Sequence, residues 1–262
     1  MAPEDKFTPS AAAPQAAEAA PQNFFSRLIG VWFSPGETFR EIGRAPRLLL
    51  PIIFAILLGL AVSFAMTQRL NMQAMMAQMF EQAVAQGQIT QEQADRQVQF
   101  AARFGTIQML VFGTLGTLLA ALIVAGIFKL VSMLMGADNT FGALFAVTLY
   151  AFIATGIISS ILFVMLLYLK DPSEITFQNL GQIVSSSLGA LLNLLLGEGA
   201  LPKFVMALAY RVDLFTIWLI SLLSIGYAAV SRRMKTSTAA AWLTGLYVIY
   251  ALIASAWTAL RG

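Results

Sequence analysis

Residues 48–67 read LLLPIIFAILLGLAVSFAMT, a run of twenty positions without one ionisable side chain. A hydrocarbon layer about 30 Å thick takes roughly 20 apolar residues of helix to cross it. Arg44, Pro46 and Arg47 mark where this run begins. Lipid is therefore the expected solvent, and the composition agrees. Of 262 residues, 58% are hydrophobic and only 11% charged, with a mean hydropathy of +0.76. A soluble domain carries about 25% charged residues.

Four more runs meet the same length rule, at about 107–135, 141–169, 214–230 and 239–260. Lys129 is the one ionisable residue within the second, and its long stem lets the ammonium reach the interface. The expected fold class is all-α, a polytopic transmembrane helical bundle of about five spans with interfacial amphipathic helices. Residues 1–23 are rich in Ala, Pro and Gln, without a positive region leading into an apolar core. They read as a disordered tail rather than a secretory signal. Residues 24–262 form the transmembrane domain.

Two polar connections carry further structure. In the 68–106 loop, Gly87 suits a helix end and Thr90 with Gln93 a capping box, giving a polar helical hairpin. The 171–211 loop is polar between Phe177 and Leu196, through Gln178, Asn179, Gln182, Ser185, Ser186, Ser187 and Asn193. That many polar groups disfavour a lipid-facing span, so an interfacial or re-entrant segment is expected.

Ahead of the first span, Phe24, Phe25, Leu28, Ile29 and Trp32 recur at helical spacing, and Phe39 and Ile42 continue the apolar side. Ser34-Pro35-Gly36-Glu37 between them reads as a new helix start, with Ser34 capping and Glu37 closing a capping box. Two short interfacial helices follow, whose Arg27, Arg40, Arg44 and Arg47 attract anionic lipid. Basic residues before the first span and at Arg232, Arg233 and Lys235 fall on one side of a five-span chain. That side, with the N-terminus, is expected to be cytoplasmic.

The net charge of +3 sits at the ends of apolar runs, which is the pattern of topology signals and not of a nucleic-acid face. With no Cys and no His, thiolate or imidazole catalysis and Cys- or His-ligated metal are ruled out. Neither catalytic residues nor cofactors are expected. Asp138 and Asp213 fall on opposite sides of the membrane in this topology, so they cannot share a water as paired acids. Met72, Met75, Met76 and Met79 have the spacing of a copper(I) thioether stripe but also of an ordinary apolar face, and packing is the expected role. Small residues recur four apart at Gly59/Ser63, Gly113/Thr117, Ala121/Ala125, Gly156/Ser160 and Ala251/Ser255, which suits close helix approach within a bundle or a homo-oligomer.

Phe33-Ser34-Pro35-Gly36-Glu37-Thr38-Phe39 resembles the bacterial branch of the YIP family, membrane proteins named for interaction with Ypt/Rab GTPases. Asp213-Leu214-Phe215-Thr216-Ile217-Trp218 and the following Ser224-Ile225-Gly226 resemble it too. The resemblance implies five spans, a cytoplasmic N-terminus, placement in a bacterial inner membrane and a non-enzymatic scaffold or adaptor role. A small GTPase partner is implied by family analogy alone. Beyond the bilayer, the expected partners are another membrane protein or a second copy. A transporter or export accessory subunit is the alternative. Phe25, Trp32, Pro35, Phe39, Arg40, Arg44, Asp213 and Trp218 are the candidate interaction or architectural residues.

Overall fold

Residues 143–151 are buried without interruption, and this run organises everything around it. A helix that is apolar all round is stable only when neighbours cover it on every side. The computed structural model describes residues 23–172, 175, 180–181, 183–184 and 186–261. The helices are α1 Phe24–Phe33, α2 Pro35–Arg44, α3 Leu49–Arg69, α4 Met72–Ala85, α5 Gln91–Leu134 and α6 Phe141–Leu169. They continue as α7 Leu188–Leu196, α8 Lys203–Arg211, α9 Leu214–Ala229 and α10 Thr236–Arg261. The central helix is α6, packed on α1, α2, α3, α5 and α9. The all-α polytopic bundle read from the sequence is the observed fold class.

Among the described residues, four helices, α3, α5, α6 and α10, are long and apolar enough to cross a membrane. The segment expected as the fourth span forms α9, only 16 residues and about 24 Å long. The second helix of the expected polar hairpin and the second span are one helix. α5 runs 44 residues, about 66 Å, because nothing between Asp95 and Thr106 breaks it. Its start carries the expected capping box, with Thr90 and Gln93 each bonding the other's backbone N–H. Met72, Met75 and Met76 turn toward α5 or are buried, with Met72 and Met76 against Gly105, so they pack.

The small-residue spacing has a concrete consequence at α3 and α5. A Cβ on Gly59 would lie 2.6 Å from the Gly113 carbonyl oxygen, so the two backbones touch. Ser63 fills the space over Gly113, and Ala121 and Ala125 are fully buried. In the core, the Tyr227 ring stacks on Phe128 at 3.9 Å, and its hydroxyl meets Thr148 Oγ1 at 2.6 Å. The Thr148 hydroxyl donates in turn to the Leu144 carbonyl at 2.7 Å, so both buried hydroxyls are satisfied.

The two ends of the bundle are tied separately. At one end, Arg233 Nη1 donates to the Gly136 carbonyl and the Arg232 N–H to Asp138, joining the α9–α10 turn to the α5–α6 turn. Lys129 reaches that same turn and donates to the Asn139 carbonyl at 2.6 Å. At the other end, Arg69 Nη2 donates to the carbonyls of Tyr168 and Lys170, joining the ends of α3 and α6. Asp138 and Asp213 cannot act together, because the length of α9 separates them. The Phe177, Gln178, Asn179, Gln182 and Ser185 portion of the polar loop, and the tail through residue 22, lie outside the described residues.

Candidate functional site

Asn23 starts α1 by accepting the Ser26 N–H at 2.8 Å. Phe24, Leu28 and Val31 then face inward, while Phe25, Ile29 and Phe33 face outward. The Ser34 N–H returns to the Gly30 carbonyl and closes the helix. Ser34 leads into α2 with Pro35 at its first position, yet its hydroxyl makes no capping bond. The expected capping box is absent there: the Ser34 backbone turns at φ −144° and ψ 58°, and only its carbonyl engages, accepting the Thr38 N–H. Glu37 stays in the first turn, where it complements the helix dipole.

The two helices are built into the bundle. Trp32 Nε1 donates to the Ala154 carbonyl of α6 at 3.1 Å. Ala154 is thirteen residues beyond Phe141, a rise of about 20 Å, so the hairpin is fixed near the middle of α6. Phe24 packs on Phe54 and Tyr150, and Phe39 fills the notch left by Gly226 beside Val147. Phe39 is fully buried, which makes it a packing residue.

Arg27 corrects the sequence reading most. Expected among the lipid-facing cations, it is only 1% exposed. Its Nε and Nη2 donate to Glu41 Oε1 at 3.3 and 3.1 Å, and Nη1 donates to the Ala45 carbonyl at 3.0 Å. The fork thereby joins α1 to both the middle and the end of α2. Sequence alone did not mark Glu41; its signal was being an acid placed among arginines.

What remains open is the outer face. Phe25 is 63% exposed and Phe33 81%, with Ile29 between them. Arg40, Arg44 and Arg47 are exposed on and after α2. Gly43 touches Val230, so this basic edge adjoins the turn carrying Arg232 and Arg233. The result is an apolar strip next to a basic edge at one end of the bundle.

A family model described as the Yip1 domain matches residues 29–258. The chain belongs to the Yip1 domain family. No curated protein and no solved structure matches it. Family membership together with four span-length apolar helices makes this a multi-pass membrane protein. The matched region takes in α2 to α9, half of α1 and most of α10, so it includes every candidate residue except Phe25.

The family-like stretch opening α9 lies at the other end of that helix. Asp213 caps α9 through the Thr216 N–H at 3.0 Å and also bonds the Thr216 hydroxyl. Trp218 is half-buried against the core. The structure does not bring Asp213 and Trp218 to the α1–α2 face. It places Asp213 instead near Tyr247, at the edge of a polar layer that the sequence reading missed, made of Arg211, Tyr247, Tyr250 and Ser255. The legible signal was Tyr247, Tyr250 and Ser255 sharing one side of an otherwise apolar run.

Proposed function

We propose that this Yip1-domain protein is a non-catalytic scaffold of a bacterial inner membrane, crossing it five times with its N-terminus in the cytoplasm. The α1–α2 hairpin is its working face. One observation carries this reading: the hairpin's inner side is fixed by the Arg27–Glu41 pair and the Trp32–Ala154 bond, while its outer side is left open. Phe25, Ile29 and Phe33 then lie in lipid, and Arg40, Arg44 and Arg47 sit at headgroup level. A fixed basic edge of that kind meets anionic lipid or the acidic surface of a partner protein.

Changing Phe25 to Ala together with Arg40 and Arg44 to Gln is expected to leave folding intact and lower crosslinked partner recovery several-fold. Trp32 and Phe39 are left untouched because both are structural. Recovery equal to wild type from a correctly folded variant makes the hairpin an anchor only.

The five-span topology has its own test, made clean by the absence of native cysteine. Single cysteines at Gln88 and Lys235 are expected to react oppositely with a membrane-impermeant thiol reagent in whole cells. Equal labelling of both sites overturns the orientation. Support for α9 as the fifth crossing comes from its ends, which lie beside Tyr247 and beside the α5–α6 turn. A second reading, a transporter or export accessory subunit, draws on the interruption between α8 and α9, since broken helices near the membrane interior form transport sites.

A further inference from the structure

Four of the chain's twelve methionines, Met72, Met75, Met76 and Met79, fall within eight positions at the start of α4. That helix, MQAMMAQMFEQAVA, contains no Leu and no Ile, whereas the apolar runs use both throughout. Thioethers therefore supply most of its apolar bulk, beside Phe80 and Val84. α5 is the helix it packs on. The pairing falls on the charged part of α5, Gln91 to Thr106, about 24 Å of helix ahead of the apolar run. Glu92, Asp95, Arg96 and Arg103 lie along that part, which belongs in water and not in hydrocarbon.

Small residues on α5 receive the methionines. A Cβ on Gly105 would lie 3.4 Å from both Met72 Sδ and Met76 Cε, so the two side chains share the notch that the glycine leaves. Met75 is only 5% exposed, and on the α5 side Ala94 and Val98 are buried. The interface is nonetheless open at its flanks. Met72 is half-buried and lines a cleft of about 820 Å³ with Asn71, Gln73, Gln99, Arg103 and Thr106. Val98 lines a second cleft of about 490 Å³ with Ala74 and Ala77. Small polar molecules therefore reach the edge of the thioether layer.

α4 has 14 residues, a length at which a helix in water is marginal unless packing holds it. A thioether packs as a hydrocarbon does, but its sulfur is open to oxidation. The sulfoxide is polar and chiral, and its oxygen needs a hydrogen-bond donor once buried. The side chains of Ala94 and Val98 and the notch at Gly105 offer none.

We propose that the α4–α5 hairpin is a reversible methionine oxidation site, at which sulfoxide formation on Met72, Met75 and Met76 releases α4 from α5. The oxidant is a peroxide. A sulfur lone pair attacks one oxygen of hydrogen peroxide, and the S–O bond forms as the O–O bond breaks. The proton of the attacked oxygen passes to the departing hydroxide, which leaves as water. Sulfur is oxidised by two electrons and the peroxide is reduced by the same two. Met72, at the cleft, reacts ahead of the buried Met75. A dithiol reductase reverses the change: two thiols become a disulfide and the sulfoxide oxygen leaves as water. The site is independent of the α1–α2 face.

The test treats the full-length protein in detergent with hydrogen peroxide and follows peptide masses and amide hydrogen exchange. Sulfoxides at Met72, Met75 and Met76 are expected to speed exchange of the α4 amides about tenfold or more, the effect of a polar group left unpaired in a buried contact. Exchange along α6 is expected to stay unchanged. Unaltered α4 protection, in material whose three sulfoxides are confirmed by mass, overturns the proposal. So does a Met72 that survives doses oxidising free methionine in the same solution. An α4 that exchanges like a free peptide before treatment also overturns it, because no packed state is there to release. With all four methionines changed to Leu, α4 is expected to stay protected before and after peroxide; equal loss on treatment places the cause elsewhere and overturns the site. Should that variant fail to fold, Met72→Gln with Met75→Gln is expected to reproduce the fast exchange without oxidant, and wild-type protection there overturns the proposal. Methionine sulfoxide reductases for both epimers, supplied with a dithiol, are expected to restore protection. Material confirmed as reduced that stays unprotected shows damage in place of a switch and overturns the reversible site. Partner recovery by the Phe25, Arg40 and Arg44 variant reads the other face, so the two results are separable.

Discussion

Glu41→Leu is expected to lower stability by about 2 kcal/mol and to release the α1–α2 hairpin from the bundle. Removing one partner of a buried ion pair costs about 3–5 kcal/mol, because the remaining charge stays buried without compensation. The Glu41 side chain is 30% exposed, so solvent screens part of that cost and the lower figure applies. Arg27 is the side that suffers, since its side chain is only 2% exposed and would keep the Ala45 carbonyl at the end of α2 but no acid. For a chain of this size the change corresponds to a fall in Tm of roughly 4–8 °C. The distinguishing measurement is the double variant Arg27→Met with Glu41→Leu. With no charge left to bury, it is expected to be more stable than Glu41→Leu alone. A double variant less stable than the single would mean that the pair is not what holds the hairpin.

Gly59→Leu carries the other large effect. An added Cβ meets the Gly113 carbonyl oxygen at 2.6 Å and Thr114 Cα at 3.0 Å, and both atoms are backbone. No rotamer relieves such a contact, so α3 and α5 must move apart along the longest interface in the bundle. Overpacking of this kind costs about 1–3 kcal/mol in cores that can yield, and more is expected where they cannot. Gly116→Ala, one turn along α5 from Gly113, is the matched control: nothing lies within 4 Å of its Cβ. Alanine there is expected to be neutral or to stabilise by up to about 1 kcal/mol through helix propensity. Thermal unfolding of the two variants in one detergent checks the pair. Equal effects would show that the Gly59–Gly113 approach is not a constraint.

Legibility in the sequence followed the range of the interactions involved. The apolar runs exposed the membrane class directly, because hydrocarbon solvent imposes a length and a composition on each helix separately. The Thr90 capping box was legible for the same reason, since both of its bonds close within three residues. The Ser34 box was not formed, although its residues were right, because packing of α1 on α6 sets the turn between the helices. Exposure on the N-terminal hairpin was also only half legible. Periodicity separated an apolar side from a basic side, but it could not say that Phe39 meets the notch at Gly226 or that Arg27 meets Glu41.

By itself, then, the sequence determined the solvent, the helical class and the family-like segments at Phe33–Phe39 and Asp213–Trp218. Only the tertiary structure decided which charges lie inside and which side chains face outward. Arg27 and Arg211 look alike as basic residues near apolar runs, yet one is paired with an acid on a neighbouring helix and the other is bonded to hydroxyls of α10. That difference comes from contacts between residues 14 positions apart in one case and 44 in the other. Hydropathy and helical periodicity report the surroundings of a residue along its own helix, whereas charge compensation in a membrane depends on what the next helix presents at the same depth.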